Sequence, residues 1–100
     1  MLQARIRYSF SDKIWRHNSN GGWFFISLPK KISKEIRENL SWQEEGWGRM
    51  KAYASIKEYE WSTAIWFDKK QDTYLLPLKA DIRKKVNLKI NDIISVTISI

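Results

Sequence analysis

Apolar and polar positions along this chain repeat one pattern. Residues 24–36 read FFISLPKKISKEI and residues 73–86 read TYLLPLKADIRKKV. Each is an apolar run that reaches a Leu-Pro pair and passes into a short basic segment. There the apolar residues recur at every fourth position, the spacing of a helix with one buried stripe. Each block then leads to an alternating segment, Gly48 to Ile56 in the first and Ile93 to Ile100 in the second. Two strand–helix–strand units in 100 residues predict a pseudo-duplicated, mainly β fold. The expected architecture is a small closed or partly open β-barrel of about seven strands with two short helices.

The elements follow from the same pattern. Leu2, Ala4, Ile6, Tyr8 and Phe10 alternate with polar residues, which predicts a strand with one buried face. A second short strand includes Ile14 and Trp15. Asn18 to Gly22 concentrates residues that tolerate positive φ and reads as a hairpin loop. Trp23 to Leu28 is nearly continuous in apolar residues, as expected of a central strand covered on both faces, and Pro29 ends it. A helix over Lys31 to Asn39 buries Ile32, Ile36 and Leu40, leaving Lys34, Glu35, Arg37 and Glu38 as a solvated face. Met50, Ala52, Ala54 and Ile56 form the buried side of another strand. Lys57-Glu58 joins it to a strand over Tyr59 to Phe67. Neither turn residue is Gly or Asn, so a tight turn there is strained and a longer connection is the alternative.

A polar loop, Asp68 to Asp72, precedes a strand over Thr73 to Leu76. The second helix, Lys79 to Val86, carries the stripe Leu78, Ile82 and Val86, with Asn87 as a left-handed cap. Ile94, Val96, Ile98 and Ile100 mark the buried face of the last strand. That strand either closes the barrel internally or forms an edge that pairs across a dimer, so monomer and homodimer both stand. With no linker or low-complexity tract, residues 1–100 read as one domain.

Composition narrows the function classes. The chain has no cysteine. That removes a disulfide framework, a thiolate zinc site and a cysteine nucleophile, and it fits a reducing compartment. The N-terminus lacks the continuous apolar core of a signal peptide, and no apolar stretch approaches the roughly 18 residues that span a bilayer. A soluble, cytoplasmic protein without a membrane partner is the expectation. Eighteen Lys and Arg against eleven Asp and Glu give a formal charge of +7, which favours encounter with polyanions without specifying a fold.

A family resemblance adds to this reading. Gly46-Trp47-Gly48, then Trp61-Ser62-Thr63-Ala64-Ile65, then Tyr74-Leu75-Leu76-Pro77-Leu78-Lys79-Ala80-Asp81-Ile82-Arg83, and finally Asn91-Asp92-Ile93-Ile94 occur in that order. The series resembles the pattern of a bacterial domain-of-unknown-function family, number nineteen hundred and five, and covers nearly the whole chain. The resemblance implies a small β-barrel and no established activity. Ala64 stands where that family often has Ser, Lys57-Glu58 replaces a glycine-containing turn, and Asn91 replaces Gly. A looser likeness to the swapped-hairpin barrels of bacterial transition-state regulators is an analogy of fold, and it brings DNA binding into view only on those terms.

Recognisable catalytic chemistry is sparse. His17, the single histidine, precedes a loop, and neither a nucleophile nor an orienting partner is identifiable for it. There is no nucleophile elbow, no metal-binding histidine pair and no phosphate-cradling glycine loop. The acid pairs Glu44/Glu45 and Asp68/Asp72 read as solvated loop charge. No catalytic residue, metal or cofactor is therefore assigned, and whether the protein is an enzyme stays open.

Aromatic and basic residues carry the leading reading. Six Trp, four Phe and four Tyr exceed what a small core needs. Plugging the barrel and its ends is the plainer role; the sharper one is an aromatic cleft lined by Trp47, Trp61 and Trp66. Trp47, Trp61, Thr63, Lys79 and Arg83 are the candidate ligand-binding residues. In that reading Lys79 and Arg83 hold an anionic group, the tryptophans give a stacking wall, and Thr63 donates a hydrogen bond. The expected role is a non-catalytic ligand-binding or interaction module for an anionic small molecule or a protein partner. The alternative is nucleic-acid binding through Lys69, Lys70, Lys79, Arg83, Lys84 and Lys89, and a small-molecule enzyme with an unrecognised acid–base pair comes third.

Overall fold

A computed structural model describes residues 5–17, 22–46 and 48–100. Seven antiparallel strands form a half-barrel with two short helices. The strands are β1 (Arg7–Lys13), β2 (Trp15–Arg16), β3 (Phe24–Ser27), β4 (Arg49–Ile56), β5 (Tyr59–Asp68), β6 (Thr73–Pro77) and β7 (Ile93–Ser99). Helix α1 (Lys30–Leu40) follows β3 and runs into a single helical turn, Ser41–Gln43, whereas α2 (Ala80–Lys85) follows β6. The spatial order is β1-β7-β4-β5-β6-β3-β2. The duplicated pattern appears as β3-α1-β4 and β6-α2-β7, with β3 paired to β6 and β4 to β7. The last strand is thus an interior strand between β1 and β4, closing the sheet from within.

Period-two alternation divides the sheet into two faces. Tyr8, Phe10, Met50, Ala52, Ala54, Ile56, Ile65, Tyr74, Leu76, Ile26, Val96 and Ile98 build the inner face and are buried. Helix α1 covers it with Ile36 and Leu40, and α2 with Ile82. Ser33 of α1 is fully buried yet paired: its hydroxyl accepts from the Tyr74 amide at 3.0 Å, docking the helix onto β6. Leu2 and Ala4, and the hairpin loop expected at Asn18 to Gly22 except Gly22 itself, lie outside the described residues.

Three expectations need correction. The run Trp23 to Leu28 is not covered on both faces: Trp23 is 55% exposed and Phe24 and Phe25 are half-buried. Its apolar density reflects a second apolar surface on the outer side. Arg37 is not merely a solvated helix position. Its guanidinium lies 4.0 Å from the Phe67 ring centroid and donates to Glu44 Oε1 at 2.8 Å. Glu44, in turn, is no loose loop charge, because the buried Tyr74 hydroxyl donates to the same oxygen at 2.8 Å. The buried Tyr74 hydroxyl requires an acceptor, and the Glu44 carboxylate supplies it.

Two local features generate measurable consequences. Residues Ile56 and Tyr59 pair directly, so Lys57-Glu58 is a two-residue turn, and Lys57 takes φ of 56°. A side chain in the left-handed region costs about 1–2 kcal/mol that glycine avoids. Lys57→Gly is expected to stabilise the fold by about 1 kcal/mol in a urea or guanidinium titration. The second concerns Tyr74, whose phenol is pushed up to about 12 by burial first and by the Glu44 carboxylate second. Unfolded tyrosine ionises near the ordinary value of 10.0 while the folded one does not, so this contribution is complete below pH 10 and lost between pH 10 and about 12. Stability measured across that window should fall steeply in the native sequence and less in Tyr74→Phe. Tyr8, raised by burial and by Glu35, accounts for a residual slope.

Candidate functional site

The outer face of the sheet carries the concavity. Cross-strand register sets its components in rows: Ser27 opposite Leu75, Leu75 opposite Trp66, and Trp66 opposite Arg49. A neighbouring row runs from Trp15 to Phe25 to Pro77. Alternation puts Ser62, Ala64 and Trp66 of β5 on this side, with Lys51 beside Ala64. All of these except Ser27 and Trp15 border an open cleft of about 800 Å³, whose lining also includes His17, Trp23, Asp68 and Lys79. Its floor is apolar, with Ala64, Leu75 and Pro77 buried. Its walls are aromatic, with Trp23 and Trp66 exposed.

The aromatic wall is pre-arranged. Trp15 stands 5.2 Å from Phe25 between ring centroids, and its indole N–H donates to the Ser27 hydroxyl at 2.9 Å. Trp23 stacks on Phe25 at 6.5 Å with 15° between planes. With its N–H satisfied, Trp15 is a fixed buttress. Trp23 and Trp66 present open ring surface to whatever enters.

The electrostatics of the rim are less one-sided than the sequence charge suggests. Arg49 pairs with Glu45, and Lys51 Nζ lies 3.4 Å from the other oxygen of the same carboxylate. Asp68 brings a second negative charge to the lining. Its Oδ1 accepts from the Lys70 amide at 3.1 Å. Lys79 has no ion-pair partner among the described residues, which makes it the cation best placed to receive an anion. Glu45 was read as solvated loop charge; it instead anchors the two rim cations of β4.

A gap in the sheet underlies the cleft. β5 pairs with β4 from Tyr59 to Trp66 but with β6 only from Trp66 to Asp68. The Phe67 amide donates to Gly48 on the β4 side at 3.0 Å. By alternation the backbone groups of Trp66, Ala64 and Ser62 therefore point towards β6. The next residue facing Ala64 in that register is Pro77, which has no N–H to offer. The ladder stops there, and the chain turns through Lys79 into α2.

The five sequence-derived candidates part company here. Lys79 and Thr63 line the cleft, Thr63 on the strand edge where its neighbours Ser62 and Ala64 face the opening. Trp61 does not reach it: it shares the inner face with Ile65 and stacks on Tyr59 at 5.8 Å. Arg83 sits in an adjoining recess of about 190 Å³ that also borders Trp23, Pro77 and Lys79. Its guanidinium lies 3.9 Å from the Phe24 centroid, and Nε donates to the Leu78 carbonyl at 3.0 Å. Trp47 lies outside the described residues. Lys69, Lys70, Lys84 and Lys89 are exposed but none borders the cleft, so the structure does not gather the proposed nucleic-acid contacts into one patch with it.

Sequence reasoning passed over Trp23, Phe25, Arg49, Lys51, Ala64 and Leu75; His17, read as a surface loop residue, is exposed just after β2 and borders the cleft. The signal was the same alternation already in use: Trp23/Phe25, Leu75/Pro77 and Ala64/Trp66 are the outward positions of three strands that become neighbours. Among the described residues no three His, Asp or Glu side chains group as metal ligands. No helix of the described chain is long and apolar enough to cross a membrane.

Comparison with known proteins places the fold in a family. No curated protein matches the chain. The profile of a family described as domain of unknown function (DUF1905) matches residues 10–98. That span runs from within β1 to within β7 and includes every residue that borders the cleft. The chain therefore belongs to the DUF1905 family.

Proposed function

We propose that the protein is a non-catalytic binding module whose site is the outer-face cleft. The observation that carries this reading is a concave, apolar-floored volume of about 800 Å³ with open tryptophan on its walls and, at its rim, a lysine with no ion-pair partner among the described residues. That size falls in the range of about 300–1,000 Å³ typical of ligand sites, and a mainly apolar lining with a few polar groups is their usual make-up. Lys79 supplies charge for a carboxylate, sulfonate or phosphate. Trp66 and Trp23 supply ring surface for a flat group. Arg83 reinforces the field from the adjoining recess while clamped on Phe24. A cytoplasmic, bacterial setting belongs to the same reading, supported by a chain without cysteine.

A second reading, single-stranded nucleic acid, is favoured by one observation. Two open tryptophans stand beside cations, the combination that stacks a base and neutralises its phosphate. Its weakness is electrostatic, because Glu45 and Asp68 offset two of the three rim cations.

Amide spectra recorded during titration with indole acetate, a flat aromatic carboxylate, test the leading reading. The expected result is saturable shifts centred on Ala64, Trp66, Leu75 and Lys79. Trp66→Ala and Lys79→Ala should each weaken binding by about fivefold or more, the cost of a lost stacking or charged contact. Trp42→Ala, at an exposed position away from the cleft, should leave it unchanged. Shifts scattered over the surface would contradict the assignment. The same titration with a labelled oligonucleotide at low and raised salt decides the second reading, whose affinity must fall steeply with salt.

A further inference from the structure

More than half of β5, from Tyr59 to Ile65, has a strand on one side only. Its ladder with β6 ends at the Trp66–Leu75 pair, while its ladder with β4 continues to Tyr59. The N–H and C=O groups of Ser62 and Ala64 face the vacated side, and Ser62, Thr63 and Ala64 all border the cleft. Ala64 is only 5% exposed, so its outward amide is poorly hydrated. A nearly buried backbone group without a partner costs about 1–3 kcal/mol, and a partner supplied from outside recovers it. Pro77 across the gap has no N–H to donate to the Ala64 carbonyl.

Resting on the binding reading above, we propose that the cleft receives an extended peptide, which adds as a strand to the free edge of β5 at Ser62 and Ala64. Strand addition obtains affinity from main-chain pairing and selectivity from pockets that take alternate side chains. Both are present: the edge supplies donors and acceptors, and the apolar floor between Leu75, Phe25 and Trp66 takes the side chains that point into the cleft. Charge complementarity sets the peptide's character. Lys79 is unpaired among the described residues, Arg49 and Lys51 share a single carboxylate, and Asp68 adds one further acid, so the rim keeps a small net positive charge that favours an acidic side chain over a basic one. The same charges oppose indiscriminate pairing of the edge with another copy of this chain, whose net charge is +7.

The test is selection from a displayed library of random hexapeptides, followed by synthesis of the enriched sequences. The expected outcome is enrichment of β-forming peptides bearing Asp or Glu. Methylating every backbone nitrogen of an enriched peptide keeps its side chains and removes its pairing N–H groups; binding should fall at least tenfold. Ser62→Pro removes a donor from the free edge, where proline is tolerated because that N–H is not in the β4 ladder, and should cost a similar factor. Lys79→Ala should cost several-fold.

Retention of affinity by the methylated peptide would overturn the strand-addition proposal even if Ser62→Pro folded poorly. No enrichment, with indole acetate still bound in the cleft, would overturn this proposal and leave the binding reading standing. No enrichment and no indole acetate binding would remove both. A concentration-dependent dimer abolished by Ser62→Pro would assign the edge to a second copy of the chain and likewise overturn the peptide.

Discussion

The missing N–H of Pro77 shapes the rest of this molecule. β5 is twice the length of β6, so their ladder has to end somewhere, and it ends where proline would be the next donor. Beyond that point the chain leaves the sheet through Lys79 and enters α2, which packs Ile82 under the inner side. The sheet is thus sealed from inside by a helix and left unpaired outside. The cleft is what remains, and its floor residues, Ala64 and Pro77, are the two that would have faced each other in a continued ladder.

The two faces are held by different physics. Inside, apolar burial dominates, and three polar side chains pair in series: Ser33 with the Tyr74 amide, Tyr74 with Glu44, Glu44 with Arg37. That chain ties α1, the turn after it and β6 together, so the helix cannot shift without leaving a buried hydroxyl or carboxylate unpaired. Outside, the aromatics are held by each other and by Ser27, leaving a surface that is fixed before anything binds. Pre-arranged walls lower the ordering cost of association, a reason to read this face as a site rather than as loosely packed core.

Much of the fold was legible because its signals are local. Alternation located Met50 to Ile56, fourfold spacing located both helices, and two Leu-Pro pairs exposed the duplication. Asn87 and Asn91 both take positive φ, at 52° and 71°, as short polar side chains permit. The candidate site was less legible, since it depends on which strands become neighbours. Trp61 and Trp66 are both tryptophans five residues apart, but an odd separation in a strand sends them to opposite faces, and only Trp66 faces the cleft. Trp23 and Phe25 looked like core because an apolar run does not say whether its second face is covered by protein or by a ligand. Glu44 and Glu45 looked alike in a polar loop; their partners, Tyr74 and Arg49, come from different strands. The free edge of β5 is a property of pairing alone and has no trace in composition.

Amide hydrogen exchange along β5 is the measurement that bears most directly on this account. Thr63 and Ile65 donate towards β4, whereas Ser62 and Ala64 face the gap left by Pro77. The account requires slow exchange at Thr63 and Ile65, exchange faster by orders of magnitude at exposed Ser62 and intermediate exchange at nearly buried Ala64, with protection restored at Trp66 where β6 takes over. Uniform protection across all five residues would mean that the edge is already paired, and the cleft would lose the backbone groups on which its proposed role depends.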